Sequence, residues 1–263
     1  MLVRLFIRLI SWAALLFLLV PLIVIIGASL TAGSVLEFPP KEYSFRWYEI
    51  MLADKSYMEA FITSSLLALV ATVVSVLMAV PLALLISKRD FKGKSVLAST
   101  LMSPLVLPHI VLGAALLQFG ASFGLVRSFE ALLVGHTIII MPFVLRSLLA
   151  VMTEEQMVLE DASMDLGASP LTTFWLVTLP QIRSGLITGS IFAFISSWIN
   201  VELSIFNTTS TLNTIPVKLF NYVQYTIDPT IAAVSAITII VAALVIILLD
   251  VFIGLNLLSS DEK

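Results

Sequence analysis

Six long apolar runs constrain this chain more than any other feature. The runs extend over about Leu9–Leu30, Phe61–Ile86, Val96–Phe119, Glu130–Val151, Gly185–Phe206 and Ile231–Leu255. Each exceeds the roughly 20 residues that an α-helix needs to cross the hydrocarbon core of a bilayer. The chain is 59% hydrophobic and 12% charged, whereas a soluble domain is about half apolar and a quarter charged. These features predict an all-α polytopic membrane protein with six transmembrane helices. They indicate one transmembrane domain over residues 1–263.

The N-terminal run follows Arg4 and Arg8, the charge order of a secretory signal peptide. The apolar region of a signal peptide is only about 7–15 residues long. Because this run is longer, we expect an uncleaved first span. The third run contains Pro104 and Pro108 and is predicted to continue through both.

The orientation is predicted from the Lys and Arg residues of the short loops, which are enriched on the cytoplasmic side. Six spans place both termini on one side of the membrane. Nine basic residues fall on that side: Arg4, Arg8, Lys88, Arg89, Lys92, Lys94, Arg146, Arg183 and Lys263. The other side has five: Lys41, Arg46, Lys55, Arg127 and Lys218. Both termini and the loop between spans four and five are therefore expected in the cytoplasm, and Asp250 is expected to be solvated near the cytoplasmic end of span six.

That loop, at about residues 153–184, contains a polar segment between two apolar runs. Residues 154–180 read EEQMVLEDASMDLGASPLTTFWLVTLP and include the acids Glu154, Glu155, Glu160, Asp161 and Asp165. The spacing of Leu159, Ala162 and Leu166 puts them on one helical face, while Asp161 and Asp165 lie one turn apart on another.

The same segment predicts two short helices joined by a bend. Gly167 suits a helix stop in the left-handed conformation. Ser169 is a suitable N-cap, with Pro170 at the first position of the second helix.

On these residues the chain resembles the permease subunits of binding-protein-dependent ABC importers. Their cytoplasmic signature is Glu-Ala-Ala, three residues, Gly, nine residues, then Ile-x-Leu-Pro. Here the signature reads Asp161-Ala162-Ser163, Gly167 and Val177-Thr178-Leu179-Pro180. The Gly and the Leu-Pro occur at the family spacing, while Asp161, Ser163 and Val177 depart from it in size or chemistry.

The resemblance covers nearly the whole chain and is clearest over the helical core at about 60–255. It implies the type I importer permease fold and a loop that docks on an ATPase. The residues that it assigns to coupling are Glu160, Asp161, Ala162, Ser163, Asp165, Leu166, Gly167, Ala168 and Pro180. It further implies a location in the bacterial inner membrane and three kinds of protein partner: two ATPase subunits, a second and non-identical permease, and a periplasmic or extracellular solute-binding protein. ATP and Mg would bind the partner ATPase, and this chain would hold no cofactor.

Residues that could carry chemistry are sparse. The sequence contains no nucleophile–base arrangement and no metal-ligand spacing, and its two histidines lie in separate apolar runs. Gly93-Lys94-Ser95 invites a phosphate-loop interpretation, but position 88 is Lys where that motif needs Gly, and no strand precedes it. A net charge of −3 argues against nucleic acid. We therefore expect a non-catalytic membrane subunit.

Glu202 is the main candidate for contact with a transported solute. An ionisable group within a span is costly and usually faces a cavity or a partner. Glu202 is thus expected either to line the translocation path, where it would meet a cation, or to lie solvated or paired at the outer end of span five. Asn200, Trp198, Asn207 and His109 are weaker candidates for the same path.

Three further segments resemble the second permease of polyamine-type importers: Ser197-Trp198, Ile215–Phe220 and Ile227–Ala233. The resemblance to this subgroup implies a putrescine- or spermidine-like solute. Polyamine members often carry adjacent acids in span five, where this chain has Asn200-Val201-Glu202, and this departure argues against a polycation. Opines and aminoalkylphosphonates, which related members import, are the alternatives. Two other classes of protein remain as rivals. A secondary transporter would need charges on several spans, and a membrane enzyme would need clustered reactive groups.

Overall fold

The computed structural model describes residues 2–226 and 228–253, and this part of the chain is mostly α-helical. The helices are α1 Leu2–Ala28, α2 Arg46–Ala53, α3 Lys55–Lys88, α4 Lys94–Met102, α5 His109–Ala121, α6 Phe129–Val151, α7 Glu154–Asp165, α8 Pro170–Thr173, α9 Leu179–Trp198, α10 Ile215–Tyr225 and α11 Thr230–Ile253. Its β-structure is one isolated antiparallel bridge between Thr31 and Tyr43. The predictions for Leu255, Lys263 and the side chain of Asp250 fall outside the described residues.

Within the described residues, three helices have the length and hydropathy to cross a membrane: Arg4–Ala28, Lys55–Lys88 and Phe129–Val151. The pair Lys94–Leu105 and His109–Ala121 would make a fourth span, but it bends by 105°. The prediction of a continuous third span is therefore wrong. Pro104 and Pro108 lack backbone N–H groups, and a proline disfavours helical backbone in the residue before it.

The fifth run also differs from its prediction. Its helix, α9, begins at Leu179 and ends at Trp198, well before the predicted end at Phe206. The Asn200 side chain accepts a hydrogen bond from the Leu203 backbone N–H at 2.9 Å. Asn side chains that bind nearby backbone in this way compete with helix formation. A short 3₁₀ turn, Ser204–Phe206, follows.

The chain divides into two compact units. The central unit comprises Glu59–Lys218, and its most buried span is α6. Helix α9 packs on α6 through a stripe of small buried residues, Gly185, Gly189, Ala193 and Ser197. A Cβ added at Gly189 would lie 2.8 Å from the Val144 Cα, and one at Gly185 would lie 2.6 Å from the Ser147 carbonyl oxygen. The two backbones can approach this closely only because these positions carry no larger side chain, as at many helix interfaces in membranes.

Small residues also line one side of α3 in the central unit. Ala68, Ala71, Ser75, Ala79 and Ala83 are fully buried. The Ser75 hydroxyl donates to the Thr137 carbonyl of α6 at 3.5 Å. The apolar core here is formed by Ala71, Ala79 and Ala83 together with α6 residues such as Ile139, Ile140, Val144, Leu145 and Leu148.

The terminal unit comprises Met1–Met58 and Leu219–Lys263. In it, α1 and α2 each pack against α11. The segment before α2 is fixed by two polar contacts: the Trp47 indole donates to the Gly33 carbonyl at 3.1 Å, and the Ser29 and Tyr48 hydroxyls share a hydrogen bond of 2.6 Å. The exposed side chains of α1, almost all apolar, suit a helix that faces lipid.

Candidate functional site

The polar segment between α6 and α9 forms a helical elbow. Helix α7 ends at Asp165, and Gly167 follows with φ of +92°. The Gly167 N–H donates to the Met164 carbonyl at 2.9 Å, and the Ala168 N–H donates to the Ser163 carbonyl at 3.2 Å. This pair of bonds defines a Schellman motif, in which a left-handed residue closes the helix. The predicted helix stop at Gly167, in the left-handed conformation, is confirmed.

The second arm of the elbow begins as predicted but does not stop. The Ser169 hydroxyl accepts from the Thr172 N–H at 3.2 Å, and Pro170 is the first residue of α8. After four residues the chain passes through a π-helical turn, Phe174–Thr178, directly into α9. The prediction of a short, separate second helix is therefore wrong. Pro180 does not end the helix, because it falls in the first turn of α9, where a missing N–H breaks no helical hydrogen bond.

Three acids of the elbow have side chains that the structure describes, and they divide into two groups. Asp161 and Asp165 are exposed. Glu160, in contrast, is 8% exposed. Its carboxylate forms an ion pair with the Lys88 ammonium and accepts a hydrogen bond of 2.7 Å from the Thr178 hydroxyl.

The Lys88–Glu160 contact joins two loops that the sequence placed on the same side of the membrane. Sequence reasoning placed Lys88 among the basic residues of the cytoplasmic side and Glu160 in the ATPase contact, and it missed that they meet. The two residues are 72 positions apart, so no local spacing could have indicated the pair.

The outer surface of the elbow is apolar as well as acidic. Leu166 is 91% exposed, the highest value among the large apolar side chains of this segment. Leu159, Leu171, Trp175 and Leu176 are also exposed, whereas Ala168 is partly buried. The Ser163 and Thr173 hydroxyls are 3.1 Å apart and join the two arms. An exposed apolar patch of this kind marks a surface that binds another protein or a membrane.

A second polar cluster lies inside the central unit, around His136 of α6. Its Nδ1 is 2.7 Å from the Ser197 hydroxyl and its Nε2 is 2.8 Å from the Ser204 hydroxyl. The Ser204 hydroxyl also bonds the Asn200 carbonyl at 2.9 Å. Because a serine has a single hydroxyl proton and a carbonyl only accepts, Ser204 donates to Asn200 and accepts from His136. A neutral His136 therefore carries its proton on Nε2 and accepts from Ser197.

Two of the predicted substrate-path residues meet at this cluster. The Asn200 amide nitrogen lies 3.3 Å from Nδ1 of His109, and its amide oxygen is already occupied by the Leu203 N–H. The amide nitrogen therefore donates, and His109 accepts through Nδ1. Sequence reasoning missed His136, because a lone histidine in an apolar run gives no signal of its partners.

The other candidates have different contacts. The Trp198 indole donates to the Ser65 hydroxyl at 3.2 Å and packs edge-on against Phe61. The Asn207 side chain is buried and accepts from the Arg127 N–H at 3.1 Å. Glu202 is exposed. Trp198 and Asn207 thus have structural contacts, and the assignment of all five residues to a substrate path stays a prediction.

In the terminal unit, Asp228 precedes α11. It accepts hydrogen bonds from the Tyr222 hydroxyl at 2.6 Å and from the Thr230 N–H at 2.8 Å. Burial alone would raise the pKa of Asp228, but these hydrogen bonds outweigh it and hold that pKa below its ordinary value. Burial and the bond to Asp228 together raise the pKa of the Tyr222 hydroxyl.

A solved structure shares the fold of this chain. The chain resembles a subunit of a bacterial ABC transporter involved in the import of the acidic polysaccharide alginate, with a TM-score of 0.69 and 19% sequence identity over 95% of this chain and 96% of that one. The chain thus has the same fold as that transporter subunit.

The sequence matches the family model described as binding-protein-dependent transport system inner membrane component over residues 75–256. The chain belongs to this family and is a permease component of an ABC importer. The putrescine transport system permease protein PotI of Escherichia coli (strain K12) is 28% identical over 84% of this chain and 79% of its own length. The molybdenum transport system permease protein ModB of Mycobacterium bovis (strain ATCC BAA-935 / AF2122/97) is 30% identical over 75% of this chain and 80% of its own.

The hydrogen bonds of His136 lead to a stability prediction. The substitution His136→Leu removes two interhelical bonds, each contributing about 0.6–1 kcal/mol in a membrane protein, so the free energy of unfolding should fall by about 1–2 kcal/mol. Unfolding of the purified protein in mixed micelles measures this change.

The neighbouring residue supplies a matched control. The Thr137 hydroxyl is buried and has no hydrogen-bond partner among the described residues, so Thr137→Val should leave stability unchanged or raise it. Equal stability of the two variants would contradict the assigned role of the His136 cluster.

Proposed function

We propose that this chain is a permease subunit through which an ATP-driven importer moves a small organic solute across the bacterial inner membrane. Two ATPase subunits would supply the energy, and a second, non-identical permease would complete the translocation path. The exposed elbow at about residues 153–184 carries this proposal. It presents Leu166, Asp161 and Asp165 to solvent at a rigid turn, and the family match supports its assignment to the ATPase contact.

In this proposal the chain crosses the membrane six times, with both termini and the elbow in the cytoplasm. The lysine and arginine distribution supports that orientation. The contact between Lys88 and Glu160 also supports it, because two loops assigned to the cytoplasm meet there. A solute-binding protein would dock on the outer polar segments, Thr31–Glu59 and Asn207–Asp228.

The continuity of the second arm supports a mechanical role. From Pro170 to Trp198 the chain is helical throughout, by way of the π-helical turn. A force applied to the elbow would therefore reach the part of α9 that packs on α6 without crossing a flexible loop. ATP binding would draw the elbows of the two permeases together and tilt these helices, which would exchange inward and outward openings. ATP and Mg would bind only the partner, so this subunit would hydrolyse nothing itself.

The proposed solute is a polyamine or a related amino compound. The resemblance to the putrescine permease supports a cationic solute, and the exposed Glu202 carboxylate is a suitable group to meet one. Opines and aminoalkylphosphonates belong to the same proposal, since each carries an amino group. The resemblance to a molybdenum permease favours a second candidate, an oxyanion.

Gly167 provides a direct test of the elbow. A side chain at φ of +92° costs roughly 1–2 kcal/mol, so Gly167→Val should redirect α8 and abolish ATP-driven uptake at normal expression. Asn tolerates this conformation, and Gly167→Asn should retain most uptake.

Gly124 is the matched control for this test. It has φ of +71° and open space around it, and it lies in the turn before α6, remote from the elbow. Gly124→Val should leave uptake close to normal. Normal ATP-driven uptake by the Gly167→Val protein would count against a mechanical elbow.

The solute can be tested with the complex purified together with its neighbouring subunits. Its ATPase activity should rise when the binding protein is loaded with putrescine and stay basal with molybdate. Stimulation of the ATPase activity by molybdate and not by putrescine would identify an oxyanion, rather than a polyamine, as the solute. Uptake into vesicles that have a proton gradient and no ATP would instead favour a secondary transporter.

A further inference from the structure

We propose that Glu160 is a positioning residue that ties the coupling helix α7 to α3 and α9, and that it does not contact the ATPase. This inference rests on the proposed function, because it assigns a task to one residue of the proposed coupling elbow. It separates Glu160 from its neighbour Asp161, although the two acids are adjacent in the sequence.

The geometry around Glu160 involves three elements. Oε2 of the carboxylate pairs with the ammonium of Lys88, the last residue of α3. Oε1 accepts from the hydroxyl of Thr178, the last residue of the π-helical turn that leads into α9. Glu160 itself belongs to α7. Both carboxylate oxygens are thus engaged, each with a different helix.

The burial of the pair distinguishes it from a second ion pair among the described residues of this end of the central unit. The Glu160 side chain is 10% exposed and that of Lys88 is 30% exposed. In the pair of Lys94 with Asp90, the Asp90 side chain is fully exposed. An exposed pair contributes little, whereas removing one partner of a shielded pair leaves a charge without compensation. Glu160 is therefore a strong constraint on α7, and Asp90 is a natural control.

Burial also decides which acid a partner can reach. Asp161 projects into solvent and is accessible to a basic residue of another subunit. The Glu160 carboxylate is already enclosed by Lys88 and Thr178. A displacement of α7 by the ATPase would therefore move the ends of α3 and α9 with it, and both of these helices contribute to the core of the central unit.

The first experiment measures ATP hydrolysed per solute imported by the complete complex in proteoliposomes. Glu160→Gln keeps the shape but removes the charge. It should keep ATPase binding and ATP turnover while raising the ATP cost per solute about tenfold, within the range typical of coupling between sites. Asp161→Asn should instead weaken ATPase binding. Asp90→Asn should leave both quantities unchanged.

Charge reversal checks that the pair itself is responsible. Glu160→Lys alone should uncouple transport, and the double variant Glu160→Lys with Lys88→Glu should restore coupling, because the Thr178 hydroxyl can accept from the new ammonium as well as donate. Failure of the double variant to regain any coupling over Glu160→Lys would contradict the pairing.

A second measurement is independent of transport. The chain contains no cysteine, so single cysteines can replace Val158, which is 66% exposed on α7, and Lys92, which is exposed in the turn after α3. The distance between spin labels at these sites should have a narrow distribution in the wild-type complex, with and without ATP. Glu160→Gln should broaden it, and Asp90→Asn should not.

The outcomes separate the two proposals. A wild-type complex that imports no solute when ATP is supplied would overturn the proposed function. The distances between the spin labels would still test whether Glu160 links α7 to α3 and α9. A Glu160→Gln complex with wild-type coupling and a wild-type distance distribution would overturn the tie alone. Loss of ATPase binding in Glu160→Gln, with Asp161→Asn unaffected, would make Glu160 the ATPase contact and would also overturn it.

Discussion

The close packing of α9 on α6 determines how the central unit is arranged. In lipid there is no hydrophobic drive between apolar helices, so association depends on van der Waals contact and interhelical hydrogen bonds. The glycines at positions 185 and 189 allow the backbones to touch, and His136 adds hydrogen bonds at the far end of the same interface. Because α9 is held against α6 in this way, the N-terminal end of α9, where the elbow joins it, has a fixed position.

The elbow itself is stiff for identifiable reasons. The Schellman turn at Gly167 closes α7, the Ser169 cap starts α8, and the π-helical turn carries the chain into α9 without a loop. The buried ion pair of Glu160 adds a link to the end of α3. A surface that is both exposed and rigid can transmit a displacement, whereas a flexible loop would absorb it.

Much of this architecture follows from the sequence because it depends on local chemistry. Run length and composition indicated the apolar helices, and the positive φ of Gly167 follows from the one residue type that adopts it without strain. The start of α8 at Ser169 and Pro170 was predictable because helix capping also depends only on local residue type. The family signature located the elbow, although Asp161, Ser163 and Val177 depart from it.

The predictions failed at features that depend on contacts between residues distant in the sequence or on local effects that oppose helix formation. The bend after Met102 depends on Pro104 and Pro108, which the prediction placed inside one continuous span. The early end of α9 depends on the Asn200 side chain, and the pairing of Lys88 with Glu160 depends on the tertiary fold. The network around His136 joins α6 to the end of α9 and the turn beyond it, so no periodic pattern in the sequence could show it.

The most direct measurement is cross-linking from a single cysteine in place of Leu166, using this naturally cysteine-free chain in the intact complex. Leu166 is 91% exposed on the elbow, and Phe123, 65% exposed in the turn before α6, serves as the control position. The account predicts an adduct between position 166 and the nucleotide-binding subunit and none from position 123. Labelling of position 166 by an impermeant thiol reagent from outside the cell, with no adduct to that subunit, would contradict it.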